Sequence, residues 1–253
     1  MLNTLLNPSG GDAPPLLIVH GLYGSGRNWG VITKRLSDRG PVVAVDMRNH
    51  GDSFWSDGHS YEDMAGDLAQ VIEAQGAPMD VVGHSMGGKA AMVLALTRPD
   101  LVSRLLIADI APVAYTHSQI QFIEAMRAVD LSKVEKRSDA ASQLAERIDD
   151  PTRQAFFTQS LDLKAKRWKL NLDTLANEMP EILGFPDISG SFEKPTLFLA
   201  GANSDYVVPE HRPIIRTLFP KARFAKIPNA GHWLHADRPR EFEASIRAFL
   251  TLT

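Results

Sequence analysis

Short apolar runs alternate with amphipathic stretches along most of this chain. The runs are five residues long or shorter and partly β-branched, and they lie at 16–19, 42–45, 81–82, 105–108 and 196–200. Such runs are typical of strands that are covered on both faces of a parallel sheet. Helical patterns lie at about 28–38, 61–75, 87–97, 210–219 and 239–251. This alternation predicts an α/β fold with a mostly parallel central sheet flanked by helices.

Residues 116–186 interrupt the alternation. They contain no strand-like run, only charged helical patterns punctuated by Pro151 and Pro180. About seventy residues are too many for one crossover between neighbouring strands. We therefore expect a helical cap at 116–186, inserted over one edge of the sheet, and a core made from 1–115 and 187–253.

The composition excludes some classes of function but does not identify the function. The chain has 253 residues, 44% of them hydrophobic, and a formal net charge of -3, which favours one large domain and gives no sign of a nucleic-acid partner. It has no cysteine, so disulfides, thiolate metal sites and cysteine nucleophiles are excluded. The first residues lack the features of a secretory signal, and no apolar run approaches the roughly 18 residues of a membrane span, so we expect a cytoplasmic protein.

Gly83-His84-Ser85-Met86-Gly87 fits the pattern G-x-S-x-G between a predicted strand and a predicted helix. At such a junction a tight turn exposes the serine hydroxyl at the carboxyl edge of the sheet, and small residues are needed where the backbone packs closely. The N–H of Met86 would then point at an oxyanion that forms beside Ser85. The alternative is a glycine-rich turn with a solvated serine, because the pattern alone is weak.

A second loop, at residues 20–22, ends the first strong strand. A turn there would aim the N–H of Leu22 at the same point and supply the second oxyanion donor. The following Gly-Ser-Gly at 24–26 also allows phosphate binding, but Trp29 stands where G-x-G-x-x-G needs a glycine, and no Gly-Lys-Ser/Thr is present. We therefore expect no nucleotide and no other cofactor.

A serine hydroxyl becomes a good nucleophile only when a base takes its proton, and histidine suits that task near neutral pH. His232, in NAGHW before the last predicted helix, is the expected base. His235 follows closely, but no acidic third ligand stands at a suggestive spacing, so no metal site is expected. The other histidines have other expected places: the His84 side chain away from the Ser85 hydroxyl, His20 in support of the Leu22 loop, His50 in a turn, and His59, His117 and His211 at the surface.

Two aspartates compete to hold the imidazole. Both follow a predicted strand and keep the chain order serine, acid, histidine. Asp109 ends a buried strand, where an unpaired carboxylate is hard to explain structurally. Asp205 stands in ANSDY, where it could be a turn residue or a helix cap. The residues alone leave both open.

Six motifs occur in order between about residues 15 and 250: HGLYGSGRNW, DMRNHGDS, GHSMGGK, DIAPV, GANSDYV and NAGHWLHADRP. Together they resemble the α/β-hydrolase superfamily, and within it the YbfF-like, ABHD11-related group of esterases and thioesterases. The resemblance implies an eight-stranded sheet, here with a short N-terminal part, a helical cap after the sixth strand, and catalysis without a metal or cofactor. It places Ser85 as the nucleophile, His232 as the base, and Leu22 and Met86 in the oxyanion hole.

The same resemblance favours Asp109 as the acid, because in this group the aspartate of the DIAP-type motif is a candidate for that role. Counted from Gly201, the usual acid position falls on Ser204, whereas counted back from Pro209 it falls on Asp205. Asp205 therefore stays the alternative acid.

The expected activity is the hydrolysis of a small-molecule carboxylic ester or acyl thioester through an acyl-serine intermediate. Residues 164–169 carry four cations, which would suit either a coenzyme A phosphate or a solvated helix face. The rival functions are a lyase or a cofactor-free perhydrolase on the same fold, and a non-catalytic binding module. Candidate walls of the substrate pocket, each of which could equally be core, are Tyr23, Trp29, Met86, Phe122, Phe156, Phe157, Trp168 and Trp233.

Overall fold

A computed structural model describes residues 1–8 and 10–251 of the chain. The main sheet within these residues has seven strands: β1 Asn3–Asn7, β2 Leu16–Val19, β3 Val42–Asp46, β4 Met79–His84, β5 Val102–Ala108, β8 Thr196–Gly201 and β9 Ala222–Ile227. Their spatial order is β1-β3-β2-β4-β5-β8-β9, and only β1 runs antiparallel to its neighbour. The predicted α/β fold with a mostly parallel sheet is confirmed.

The strand count differs from the eight that the family resemblance implied. In the described residues a single antiparallel strand, β1, precedes the first parallel strand, so that edge of the sheet is one strand shorter. Consequently the insertion at 116–186 follows the fifth strand of the sheet, β5, and not a sixth.

Two edge strands were not predicted from the sequence. β9 is an edge strand with only Ala222 and Ile227 buried at its two ends, and β1 alternates between half-buried and exposed positions. Neither has the continuous apolar run of a central strand, because one side of an edge strand faces solvent. The central strands β2, β3 and β4 are buried at every position, which is why their apolar runs identified them.

Helices cover both faces of the sheet. The helices outside the insertion are α1 Gly30–Leu36, α2 Tyr61–Gln75, α3 Met86–Thr97, α9 Arg212–Leu218, α10 Leu234–Asp237 and α11 Pro239–Leu250. α2 occupies the span predicted for it because Ser60 accepts a hydrogen bond from the N–H of Asp63 at its start, and Gly76 ends it with a φ of 77°. α1 and α11 pack on one face and α2 and α3 on the other, and each face has its own apolar core.

The insertion contains five helices and a small hairpin: α4 Ile120–Arg127, α5 Arg137–Leu144, α6 Pro151–Thr158, β6 Leu161–Asp162, β7 Arg167–Trp168, α7 Leu172–Asn177 and α8 Met179–Leu183. The hairpin corrects the expectation that this segment is helical throughout. Its two strands have two residues each, too few for a periodic signal. Its turn depends on Asp162, whose carboxylate accepts the N–H groups of Lys164 and Ala165.

No described helix combines the length and the apolar character that a membrane span requires.

Candidate active site

Ser85 lies in the sharp turn between β4 and α3. Its backbone has φ 51° and ψ -122°, an unfavourable conformation for a residue with a side chain. The turn is tight because glycine surrounds it: a Cβ on Gly83 would lie 2.5 Å from the carbonyl oxygen of Gly87, and one on Gly87 would lie 2.4 Å from that of His20. The glycines at both ends of the motif are therefore required by packing, and the strained turn presents the serine hydroxyl.

The imidazole of His232 lies beside this hydroxyl. His232 follows β9 in the chain, and its Nε2 is 3.0 Å from Ser85 Oγ. Its Nδ1 is 2.8 Å from Oδ2 of Asp109, a carboxylate that can only accept. Nδ1 therefore carries the proton, and Nε2 of the neutral ring is free to accept the hydroxyl proton of Ser85.

Asp109 directly follows β5 and has no exposed surface. Besides the imidazole, its carboxylate accepts the N–H of Gly201 at 2.9 Å and the hydroxyl of Ser204 at 2.5 Å. Asp205 is exposed at the rim of the site, and within the described residues it makes no hydrogen bond to His232. Geometry therefore joins Asp109, not Asp205, to the imidazole.

The parallel register explains why these residues meet. His84 pairs with Ala108 in the sheet, so Ser85 and Asp109 leave neighbouring strands at the same level. The N–H of Ser85 donates to Ala108 O at 3.1 Å, and the N–H of Asp109 donates to Leu199 O at 2.9 Å. The carboxyl ends of the strands thus place Ser85 and Asp109 side by side.

Tyr206, which sequence reasoning missed, and His84, whose supporting role it missed, both contact His232. The ring of Tyr206 stacks on that of His232, with 3.9 Å between centroids and 21° between planes. On the other side, His84 points away from the Ser85 hydroxyl, as expected, and its Nε2–H donates to the carbonyl oxygen of His232 at 2.8 Å. Burial holds the pKa of His84 well below its usual range, so this ring is a neutral support. Nothing local in the sequence marks Tyr206.

The two residues expected to donate to the oxyanion, Leu22 and Met86, line the same cavity as Ser85. Met86 is the first residue of α3, so its N–H has no acceptor within the helix. The chain before Leu22 passes directly over the serine, since a Cβ on Gly21 would lie 3.1 Å from that of Ser85. His20 supports this passage by donating from Nδ1 to Gly21 O at 2.8 Å, while its Nε2 accepts the N–H of Met47 at 2.9 Å.

A cavity of about 640 Å³ opens above Ser85. Its lining combines the sheet edge with residues of the insertion. Seven of the eight candidate wall residues line it: Tyr23, Trp29, Met86, Phe122, Phe156, Phe157 and Trp233. The serine, the imidazole and the aromatic walls therefore share one space large enough for a small-molecule substrate.

The arrangement matches a known family. A family model described as the alpha/beta hydrolase family matches residues 16–245. This chain belongs to the α/β hydrolase family. The resemblance inferred from the motifs is thereby confirmed.

Individual relatives of this α/β hydrolase extend over nearly the whole chain. It is 44% identical over 253 residues to a mouse (Mus musculus) protein named sn-1-specific diacylglycerol lipase ABHD11, covering 95% of this chain and 82% of that protein. It is 36% identical to a protein named Esterase YbfF from Escherichia coli, covering 93% of this chain and 92% of that protein. A solved structure titled Marine microorganism esterase is 38% identical with a TM-score of 0.92, covering 98% of this chain and all of that one.

Trp168 is the one candidate wall residue of this α/β hydrolase that does not line the cavity. It is buried in the hairpin of the insertion, and its indole N–H donates to Met126 O at 3.0 Å. An indole that is packed and bonded in this way belongs to the core of the insertion. Its place could not be read from the sequence, because the hairpin that turns it inward was not predicted.

The cations of 164–169 also lie outside the lining of this cavity. Lys166 donates to Val134 O, and Lys169 forms a 2.6 Å ion pair with Asp52. Lys164 and Arg167 are exposed on the hairpin. The run therefore joins the insertion to the core and covers its surface, and no cation in it faces the serine.

Three further histidines were expected at the surface, and their burial differs from one to the next. His59 was expected at the surface but is 1% exposed, because Asn49 and Met86 enclose it, and burial lowers its pKa to about 4. His117 is exposed at the cavity rim, as expected, with its Nε2 2.7 Å from the hydroxyl of Tyr206. His211 is half-buried.

His235 stacks on Trp29 with 4.2 Å between centroids, and burial lowers its pKa to about 3. It therefore packs as an aromatic ring beside the site. Among the residues that the structure describes, no group of three or more His, Cys, Asp or Glu could hold a metal ion.

Lys89 is a further residue of the cavity wall that the sequence did not point out. It lies one helical turn after Ser85 and is 1% exposed. Its Nζ donates to Leu183 O at 2.9 Å and to Gly184 O, and the ring centroid of Tyr115 lies 4.9 Å away. No carboxylate within the described ranges pairs with it, and burial lowers its pKa to about 7. The serine helix is thus tied to the end of the insertion by a buried amine.

Proposed function

We propose that this chain is a serine hydrolase that cleaves small carboxylic esters through an acyl-serine intermediate. The observation that carries the proposal is the pair of hydrogen bonds linking Ser85, His232 and Asp109, at 3.0 and 2.8 Å. A hydrolase of the ester class also agrees with the names of the relatives, which are esterases and lipases.

In the first half of the proposed reaction, Ser85 Oγ attacks the ester carbonyl carbon while its proton passes to His232 Nε2. The carboxylate of Asp109 stabilises the imidazolium that forms. The carbonyl oxygen becomes an oxyanion and accepts the N–H groups of Leu22 and Met86. When the tetrahedral intermediate collapses, the carbon–oxygen bond to the leaving group breaks, and His232 returns its proton to the leaving alcohol.

In the second half, water replaces the alcohol. His232 takes a proton from this water as it attacks the acyl carbon, and the second tetrahedral intermediate releases the carboxylic acid and restores the Ser85 hydroxyl. Every proton in this cycle passes through the one imidazole, so no second acid or base is required. No step changes an oxidation state, because water and ester are converted to acid and alcohol.

The cavity suggests the kind of substrate. Its aromatic walls suit an apolar acyl or alcohol group, because they offer apolar surface in the same space as the serine. We propose that residues 116–186 act as its cap, since Phe122, Phe156 and Phe157 of this segment face the same space as the serine. The cations of 164–169 do not line the cavity, so they lend no support to a coenzyme A thioester as the substrate.

A fluorophosphonate probe tests the nucleophile. We expect labelling of the wild type, none of Ser85→Ala, and normal labelling of Ser245→Ala, a serine on α11 whose hydroxyl bonds to its own helix. Hydrolysis of p-nitrophenyl esters of increasing chain length should follow the same pattern, with the free acid as product. An unlabelled and inactive wild type would refute the proposal, whereas acid release from acyl-CoA at a rate equal to that from esters would extend it to thioesters.

A further inference from the structure

The loop that carries Leu22, one of the two proposed oxyanion donors, is held in a strained conformation at Tyr23. Residues 21–24 form a tight turn, closed by a hydrogen bond from the N–H of Gly24 to Gly21 O at 3.0 Å. Leu22 and Tyr23 are its two central residues, and Tyr23 has a φ of 64°. The left-handed region costs a residue with a side chain of the order of 1 kcal/mol, so other contacts must hold it there.

His50 provides the contact on the core side. It is fully buried, and its Nδ1 lies 2.9 Å from the carbonyl oxygen of Arg48, which can only accept. The proton of the neutral ring is therefore on Nδ1, and Nε2 presents a lone pair. This lone pair accepts the N–H of Tyr23 at 3.2 Å. The peptide that follows Leu22 is thus fixed by an acceptor from a separate loop of the core.

The chemistry of His50 suits this task only while the ring is neutral, because an imidazolium has no lone pair to offer. Burial, together with the neighbouring rings of His20 and His59, holds the pKa of His50 well below its usual range. The ring centroids of those two neighbours lie 5.2 and 5.7 Å away. The loop therefore has an acceptor that persists across the whole neutral pH range.

Contacts from the insertion hold the other polar groups of Tyr23. The hydroxyl of Ser160 donates to Tyr23 O at 3.0 Å, and the hydroxyl of Tyr23 donates to Gln119 O at 2.9 Å. The ring of Tyr23 also meets that of Phe157 edge-on, with 5.5 Å between centroids. Tyr23 is thus clamped between His50 of the core and the segment 116–186.

We infer that His50 is a positioning residue for the oxyanion hole: by accepting the N–H of Tyr23 at the strained turn, it sets the direction of the neighbouring N–H of Leu22, and Ser160 completes the clamp from the insertion. This inference rests on the proposed function. His50 touches no reacting atom. Its replacement should therefore weaken stabilisation of the oxyanion and leave substrate binding nearly unchanged.

The test replaces His50 with Leu, which has no acceptor, and with Gln, whose Oε1 can take the place of Nε2. His50→Leu should lower kcat for p-nitrophenyl butyrate by about 10- to 100-fold, a part of the 10²–10³-fold that the loss of one oxyanion donor costs. KM should change less than twofold. Binding of a trifluoromethyl ketone, which forms a serine-bound oxyanion, should weaken by a similar factor. His50→Gln should recover most of both losses.

A second variant keeps the test decisive if His50→Leu does not fold. Ser160→Ala removes only the donor to Tyr23 O and should lower kcat by about 3- to 10-fold, again with KM unchanged, since one hydrogen bond contributes about 1 kcal/mol. Wild-type kcat in His50→Leu would overturn the inference, as would equal losses in His50→Leu and His50→Gln, or, where His50→Leu does not fold, unchanged kcat in Ser160→Ala. An inactive wild type would refute the proposed function instead.

Discussion

Replacing Asp109 with Asn should almost abolish hydrolysis while leaving the fold intact, because the exchange keeps the size of the side chain and removes its charge. The direction in which the new amide turns follows from the surroundings. The N–H of Gly201 donates to Oδ1 and, as a backbone group, cannot turn away. The amide oxygen of Asn must stay at that position, and its NH2 group then faces His232.

This orientation of the amide changes the tautomer of the His232 imidazole. Facing an NH2 group, Nδ1 of His232 must accept, so the ring proton moves to Nε2, the atom that lies 3.0 Å from Ser85 Oγ. A protonated Nε2 cannot take the hydroxyl proton. The same exchange of tautomers in a serine protease lowers kcat about 10⁴-fold. At about 1.36 kcal/mol for each factor of ten, the expected loss is about 5 kcal/mol of transition-state stabilisation.

The assay is kcat for a p-nitrophenyl ester, with the melting temperature measured alongside to show that the variant is folded. Asp205→Asn is the matched control, because this carboxylate is exposed and makes no hydrogen bond to His232 within the described residues. We expect its kcat to stay within about threefold of the wild type. The reasoning would be refuted if Asp205→Asn lost as much activity as Asp109→Asn, or if Asp109→Asn kept more than a tenth of wild-type kcat.

Three further predictions follow from contacts around the site. Ser204→Ala removes one of the three donors to Asp109 and should lower kcat about tenfold in the same ester assay; an unchanged kcat would show that the 2.5 Å hydrogen bond is dispensable. Gly201→Ala should lower the melting temperature sharply, because its Cβ would lie 2.2 Å from Gly231 O; a stable variant would show that this loop can move. Burial lowers the pKa of Lys89 from its ordinary value of 10.5 to about 7. Between pH 7 and pH 10.5 its amine should therefore be charged in the unfolded chain and neutral in the folded protein. Stability relative to Lys89→Met should therefore rise from pH 7 to pH 9 by about 2 kcal/mol in urea unfolding, and a constant or falling difference would contradict the assignment.

Several parts of the site could be predicted because they depend on short stretches of sequence. The apolar runs of β2, β3 and β4 identified the buried strands, since a strand covered on both faces is apolar along most of its length. The turn at Ser85 needs small residues two positions before and after the serine, so the two glycines in the sequence predict the tight packing of the turn. His232 was expected as the base from its place after the sheet and before the last helix.

Other features of the site depend on contacts between residues far apart in the chain, and no local sequence pattern predicts such contacts. The residues alone left both Asp109 and Asp205 open, and the family resemblance only favoured Asp109. The contact itself comes from the parallel pairing of β4 with β5 and of β5 with β8, which brings Asp109 to the imidazole. His59 lies in a polar stretch that resembles a surface turn, yet the fold encloses it.

The sequence by itself thus determined the architecture of this protein and pointed to Ser85 and His232 as the proposed nucleophile and base, because each of these depends on a few neighbouring positions. Tertiary structure alone decided which of the two aspartates contacts the imidazole, that Trp168 faces the core of the insertion, and that Lys89 is buried with no carboxylate partner among the described residues. Those outcomes depend on what packs against each side chain across the sheet and the insertion, and on the exclusion of water that this packing produces.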